Sequence, residues 1–121
     1  MALSNVSGGT DSNGVRVLGN LSLNLGNYRV AVADQVVDLS YHELELLRLL
    51  AEYPNSVISY SDITNAIWGN SSRSTLRALN VLVHRLRTKL ANSHPYIIET
   101  VRGRGYGLLK SREAENVSDW T

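Results

Sequence analysis

Arg77, Arg85, Arg87 and Lys89 fall within one predicted helix, and Arg102 and Arg104 alternate with glycine in the run RGRG. A guanidinium is a planar, permanently charged fork of donors that fits phosphate oxygens or the N7 and O6 of guanine. Residues of this type at this spacing point to polyanion binding rather than to bond-making chemistry. The charges are also segregated. Residues 73–112 hold nine of the twelve bases and a single acid, Glu99, while the rest of the chain holds three bases and ten acids. A chain of formal net charge +1 is thereby sorted into an acidic body and a cationic face, which raises the local concentration of polyanions and steers them in. The competing reading is a solvated basic helix, and what the charges are attached to must decide.

Other chemistries find little support. His42, His84 and His94 have no metal-ligand spacing, and no nucleophile, base and orienting acid form a recognisable set, so neither an enzyme nor a metal or cofactor is expected. Asp34, Asp38, Glu43 and Glu45 read as solvated surface or capping acids. Gly103, Gly105 and Gly107 precede a strand rather than opening a helix, which rejects a dinucleotide site. The chain has no cysteine, which suits a reducing cytosol. No charge-free apolar run approaches the ~20 residues that span a bilayer, and MALSNVSGGT lacks the basic start and apolar core of a signal peptide. Four Asn-x-Ser triplets, at Asn5, Asn20, Asn70 and Asn116, read as chance in a chain rich in Asn and Ser. Single-stranded RNA recognition usually needs stacking aromatics, and the basic helix has none. A cytoplasmic binding protein is the expectation.

The elements that must position the cations follow from periodicity. At 121 residues and 43% hydrophobic the chain is one domain with a small core. Residues 1–14 read as a flexible tail or linker, 15–110 as the domain, and 111–121 as a second loose end with Trp120 a stray aromatic. VRVL, LSLNL, YRVAVA and VVDL are strand-like runs split by Gly19-Asn20, Gly26-Asn27 and Asp34-Gln35, an antiparallel meander. The period then changes. Ser40 and Glu43 form a capping box with Leu39 and Leu44 as staple, opening a helix with Leu44, Leu47 and Leu50 on one side that stops at Tyr53-Pro54-Asn55. Ser59 and Asp62 repeat the device, with Ile58 and Ile63, for a short helix through Ile67-Trp68. Gly69-Asn70-Ser71-Ser72 is a loop, and a third helix runs from near Ser74 to about Leu90. YIIETV and YGLL are strands of a hairpin around RGRG. The sum is an α+β winged helix-turn-helix: a four-stranded N-terminal antiparallel sheet, three helices and a C-terminal hairpin wing.

On the third helix, Leu76, Leu79, Val83, Leu86 and Leu90 make a stripe about 80° wide that should pack on the body. The opposite side is centred on Val81, flanked by Arg77, Ala78, Arg85 and Thr88, with His84 and Lys89 further out. No acid occurs on this helix, where a merely soluble helix would intersperse acids as i,i+4 partners. Arg85, in mid-face, could reach guanine in a major groove, and Val81 a thymine methyl; an ordinary exposed valine is the equal alternative. Arg77 and His84 would reach phosphates or base edges. Arg87 lies close to the buried stripe, free either to swing out to a phosphate or, with Lys89, to complement the helix C-terminal dipole; Lys89 and, on the wing, Arg104 are counted with it among the expected phosphate-binding residues. The wing's Arg102 and Arg104, on a turn with φ-permissive glycines, have the shape of a minor-groove probe; a hairpin solubilised by arginine is the competing reading.

VDLSYHELELLRLLAEYPNSVIS, ITNAIWG, LNVLVHRLRTKL and above all IIETVRGRGYGL resemble the DNA-binding effector domain of the OmpR/PhoB family of bacterial transcription regulators, over about residues 15–109. The resemblance implies a third helix in the major groove and a wing in the minor groove of promoter or operator DNA. By position it makes Arg85 the base-reading arginine and Arg102 the minor-groove arginine, and puts Trp68, Arg77, Arg87, Thr100 and Tyr106 at phosphates. It matches loop 69–74, with Gly69, Asn70, Ser71 and Ser72, to a segment that in relatives can touch RNA polymerase, and it implies tandem homodimers on direct repeats. The chain departs from the family pattern at Ala78, Asn80, Leu82 and His84, and at Asn55 where many relatives have Gly, a conformation Asn also adopts. No phosphoacceptor receiver domain precedes residue 15. The chain is therefore expected to be an excised effector domain, a free-standing regulator or the cytoplasmic end of a membrane regulator. The rival function is a winged-helix interaction module docking an acidic protein partner.

Overall fold

The computed structural model describes residues 14–111; the two expected tails, Trp120 included, lie outside those residues except for Gly14 and Ser111. Strands β1 (Val15–Leu18), β2 (Leu21–Asn24), β3 (Arg29–Val32) and β4 (Gln35–Val37) form the antiparallel meander in sequential order. Alternation puts Leu21, Leu23, Val30 and Val32 in the core, while Val17 and Val36 stay half exposed on the outer face. The last turn differs from expectation. Gln35 pairs with Val32, and the turn is Ala33-Asp34, with φ of 51° and 67°. Two consecutive positive φ values suit the right-handed twist of a tight hairpin, but alanine carries no such signal, so the boundary is invisible in sequence.

Helix α1 (Tyr41–Glu52) opens with the expected capping box: Ser40 N–H donates to Glu43 Oε1 at 2.8 Å and Glu43 N–H to Ser40 Oγ at 3.3 Å. It buries Leu46, Leu47, Leu50 and Ala51; Leu44 is only half-buried. Strand β5 (Ile58–Ser59) leads into α2 (Tyr60–Trp68), then α3 (Arg73–Lys89), β6 (Tyr96–Val101) and β7 (Gly105–Lys110). At α2 only half of the expected box forms. Asp62 N–H donates to Ser59 Oγ at 3.1 Å, but the aspartate, a methylene shorter than glutamate, does not return the bond. Gly69 ends α2 in the left-handed region, φ 80°.

The wing is a three-stranded sheet, β5-β7-β6, rather than a bare hairpin. Ile58 pairs with Tyr106 and Ser59 with Gly105. A two-residue strand has no period to detect. Its partner residue did carry a sign: a Cβ on Gly105 would lie 1.8 Å from the Ile58 carbonyl oxygen, so this glycine serves close approach. Gly103, at φ 78°, is the one that serves the turn. Asn55, at φ 65°, takes the left-handed conformation, donates its N–H to the Leu108 carbonyl at 2.9 Å and accepts from Lys110 N–H at 3.1 Å. It thus ties the end of α1 to the wing, which a glycine's missing side chain could not fully do.

All these faces share one core: the inner sheet leucines and valines, the α1 leucines, Ile63, the α3 apolar side, and Ile98, Tyr106 and Leu108 of the wing. The sheet is also held by polar staples. Arg16 Nη1 donates to the Ala51 carbonyl at 3.1 Å. Asn20 binds the loop after α3 three times, through its N–H to the His94 carbonyl, its Nδ2 to the Asn92 carbonyl and its Oδ1 from His94 N–H. Among the described residues no helix is long and apolar enough to cross a membrane.

Candidate nucleic-acid interface

The third helix starts one residue earlier than expected, at Arg73. Ser72 caps it in a second full box, with Thr75 as the reciprocal partner. Serine-serine runs hide which serine is the cap. The buried arc holds Thr75, Leu79, Leu82, Val83 and Leu86, so it is turned relative to the expected stripe. Leu82 is 7% exposed and Leu76 is 37% exposed. Helix α3 is gripped by α1, α2 and the wing together, which extends the arc on the Leu82 side and leaves Leu76, in the first turn, at its edge.

The opposite side is as the periodicity places it. Val81 is half exposed, and Arg77, His84, Arg85 and Thr88 are exposed around it. Thr88 spends its hydroxyl proton on the His84 carbonyl at 3.1 Å. The side chains of Arg73, Arg77, Arg85, Arg102 and Arg104 form no ion pair or hydrogen bond among the described residues. Strand alternation sends Glu99, the one acid of this third, to the face opposite Ile98 and Thr100, and therefore away from α3. Among the described residues nothing neutralises the arginines.

The wing-facing edge of α3 is different. Arg87 neither swings free nor merely complements the dipole: its Nε donates to the Ile98 carbonyl at 2.9 Å and an Nη to Thr100 Oγ1 at 2.7 Å, with its guanidinium carbon 5.9 Å from the Tyr106 ring centre. Arg87, Thr100 and Tyr106, separate in sequence, are thus brought together as one cluster. Two of the five guanidinium N–H groups are used, and the remainder have no hydrogen-bond partner among the described residues. Tyr106 is almost buried, packs edge-on against Tyr60 and donates its hydroxyl to Asn80 Oδ1 at 2.8 Å.

Lys89 is held as well, with Nζ 2.7 Å from Glu43 Oε1. Glu43 keeps the capping role expected of it but is buried rather than solvated, being 2% exposed. Burial alone would raise its pKa, but hydrogen bonds from Lys89 and the Ser40 backbone outweigh that and hold the carboxyl below its usual range. Trp68 is half-buried with its ring 5.6 Å from His42, which edges Tyr41 in turn; the histidine's place beside Trp68 had no sequence signal. Loop residues Gly69, Asn70, Ser71 and Ser72 are exposed.

A sheet-flanked three-helix body whose last helix and β-hairpin project together defines a winged helix-turn-helix domain. Residues 34–108 match the family described as "Transcriptional regulatory protein, C terminal", and the chain belongs to that family, the OmpR/PhoB-type DNA-binding domain. It is 39% identical over 92 residues to the response regulator protein PmrA of Pseudomonas aeruginosa, a match covering 76% of this chain and 40% of that protein. The chain thus spans less than half of such relatives. Its fold is similar to the Klebsiella pneumoniae RstA DNA-binding domain, solved with the RstA box, at a TM-score of 0.71 and 27% identity, covering 78% of this chain and 96% of that one. The DNA-binding domain of Escherichia coli CpxR gives a TM-score of 0.69 and 28% identity, with 80% and 97% covered.

Proposed function

We propose that this chain binds double-stranded DNA sequence-specifically, as the cytoplasmic effector domain of a two-component transcription regulator and not as an enzyme. The observation that carries the reading is the set of unpaired arginines on two separate projections, Arg77 and Arg85 on α3 and Arg102 and Arg104 on the wing, with no acid among them. Fixed cations left without partners on a folded surface are a site for an anion that arrives from outside. Two projections suit adjacent grooves: α3 fits a major groove, and a tight arginine-bearing turn fits the minor groove beside it. The RstA domain, similar in fold and solved in complex with the RstA box, supports the DNA-binding part of this reading.

In this reading Arg85, Val81 and His84 meet base edges and Arg102 the minor groove. Arg77, Arg87, Thr100 and Arg104 meet phosphates, which set affinity and register without reading sequence. Trp68 contributes at the start of the same surface. Lys89 and Tyr106 take indirect parts, since Glu43 and Asn80 engage their polar atoms. Residues 15–110 are the folding unit. Loop 69–72 is a contact for RNA polymerase, and tandem copies occupy direct repeats.

The test is selection of bound fragments from a random duplex library at about 0.15 M salt, where nonspecific phosphate binding is already weakened. Enrichment of one sequence, lost with Arg85→Ala, is the expected result. Binding without enrichment would overturn the sequence-specific part, and no binding would leave an acidic protein partner as the reading of the same face.

A further inference from the structure

A helix in a major groove and a wing in the adjacent minor groove leave one strand of the duplex backbone running between them, because that strand is the wall dividing the two grooves. Whatever lies on the seam between α3 and the wing therefore faces phosphate. Asn80 lies on that seam. It precedes Arg87 by seven residues, two helical turns, and so shares the wing-facing edge of α3. Arg87 holds β6 at one height of this edge, and Asn80 meets β7 at the other through the Tyr106 hydroxyl.

The carboxamide of Asn80 is exposed, yet one of its ends is fixed. Tyr106 donates to Oδ1 at 2.8 Å, and the phenol is itself immobile: its ring is buried, crossed by Tyr60 at 87° and flanked by Arg87. Burial, together with the neighbouring Tyr60, pushes its ionisation up against the pull of Arg87, so the hydroxyl keeps the proton it donates. With Oδ1 occupied on an exposed residue, the two Nδ2 N–H donors are left with no partner among the described residues. The same bond removes Tyr106 as a phosphate donor, because a phosphate facing the phenol would meet only lone pairs.

Resting on the DNA-binding reading above, we propose that Asn80 donates a hydrogen bond to a backbone phosphate in the seam between α3 and the wing, and that Tyr106 is the positioning residue that turns its carboxamide for this contact. The contact carries no sequence information; it fixes the register of α3 against the wing. An aspartate at the same place would still accept from Tyr106 but would offer phosphate a charge and no donor.

The experiment measures duplex affinity by fluorescence anisotropy with residues 1–121, using the selected duplex and a scrambled one. The proteins are wild type, Asn80→Ala, Tyr106→Phe and the double variant, each checked for an unchanged melting transition. Asn80→Ala is expected to weaken both duplexes alike by about tenfold, in keeping with a hydrogen bond to a charged group. Tyr106→Phe should weaken them about threefold in the wild-type background and not at all when Asn80 is already alanine. A tyrosine loss that persists in the Asn80→Ala background would overturn the positioning role, since a phenol that touched phosphate itself or only supported the fold would behave so. A panel of duplexes with single neutral methylphosphonates keeps the test open even if Tyr106→Phe fails to fold: wild type should lose affinity at one phosphate that Asn80→Ala no longer senses. Wild-type binding with unchanged affinity in Asn80→Ala overturns this inference alone, whereas wild type that binds no duplex overturns the DNA-binding reading with it.

Discussion

The outer face of α3 and its wing-facing edge carry the same kind of residue under opposite conditions. On the outer face Arg77 and Arg85 stand in solvent with no protein partner among the described residues, beside a half-exposed valine. On the edge, two residues beyond Arg85, Arg87 is bonded to a carbonyl and a hydroxyl of β6, and Lys89 is closed on a buried carboxylate on the other flank. Positive charge by itself therefore does not mark a free cation in this domain. Cations held by the protein set the relation between its parts whether or not they also meet a partner, as proposed for Arg87, and those left free are available for a partner alone. The distinction predicts that stability and binding can be separated by substitution.

The largest loss of stability should come where the wing backbone is held most closely. Gly105→Ala places a methyl against the Ile58 carbonyl and should break the β5–β7 pairing, costing about 3 kcal/mol in urea unfolding; a loss under 1 kcal/mol would show that the wing does not need this approach. Lys89→Met should cost about 2 kcal/mol, because Glu43 is left buried without its cation while Lys89's partial exposure softens the penalty. The sign with pH follows from the lowered Glu43 pKa. Its contribution is complete above the unfolded carboxylate value, about 4.3, and is lost as pH falls through the lower folded value. Lys89→Met should flatten that acid limb, and an unaltered limb would mean that the pair does not set it.

Arg87→Ala should cost about 1–2 kcal/mol of stability through two lost hydrogen bonds, weaken all duplexes alike and lower the salt slope by roughly 0.9. An unchanged melting transition would move Arg87 into the free class. Arg85→Ala should leave stability within about 0.5 kcal/mol yet remove roughly 1–3 kcal/mol of discrimination between cognate and scrambled DNA. Equal losses on both duplexes would make Arg85 a phosphate contact and erase the contrast on which the comparison rests.

What was legible in the residues, and what was not, divides along the same line. Local periodicity and capping found every helix and the four-strand meander, and correctly exposed Arg77, Val81 and Arg85, because those signals act over a few residues. Strand β5 escaped for want of length, and the last turn of the meander, Ala33-Asp34, was placed one residue late because Ala33 carries no turn signal. The exchange of Leu76 for Leu82 in the buried arc depends on three neighbouring elements at once. The engagement of Lys89 by Glu43 spans 46 residues and that of Asn80 by Tyr106 spans 26, distances over which no pattern announces a partner. Free side chains are thus easier to foresee than held ones: a free arginine needs only its own helix, whereas a held one needs the whole fold.

The staple at Asn20 gives the domain something like a calliper. The loop it grips, between Leu90 and Tyr96, is the short link joining α3 to β6, and Gly19 lies so close to His94 and Pro95 that a side chain there would collide. The spread of the two jaws, helix and wing, is therefore gauged against a separate four-stranded sheet. A partner that leaned on that sheet from behind could change the gauge without approaching the DNA, and the domain would then reject a duplex whose groove spacing it had previously accepted.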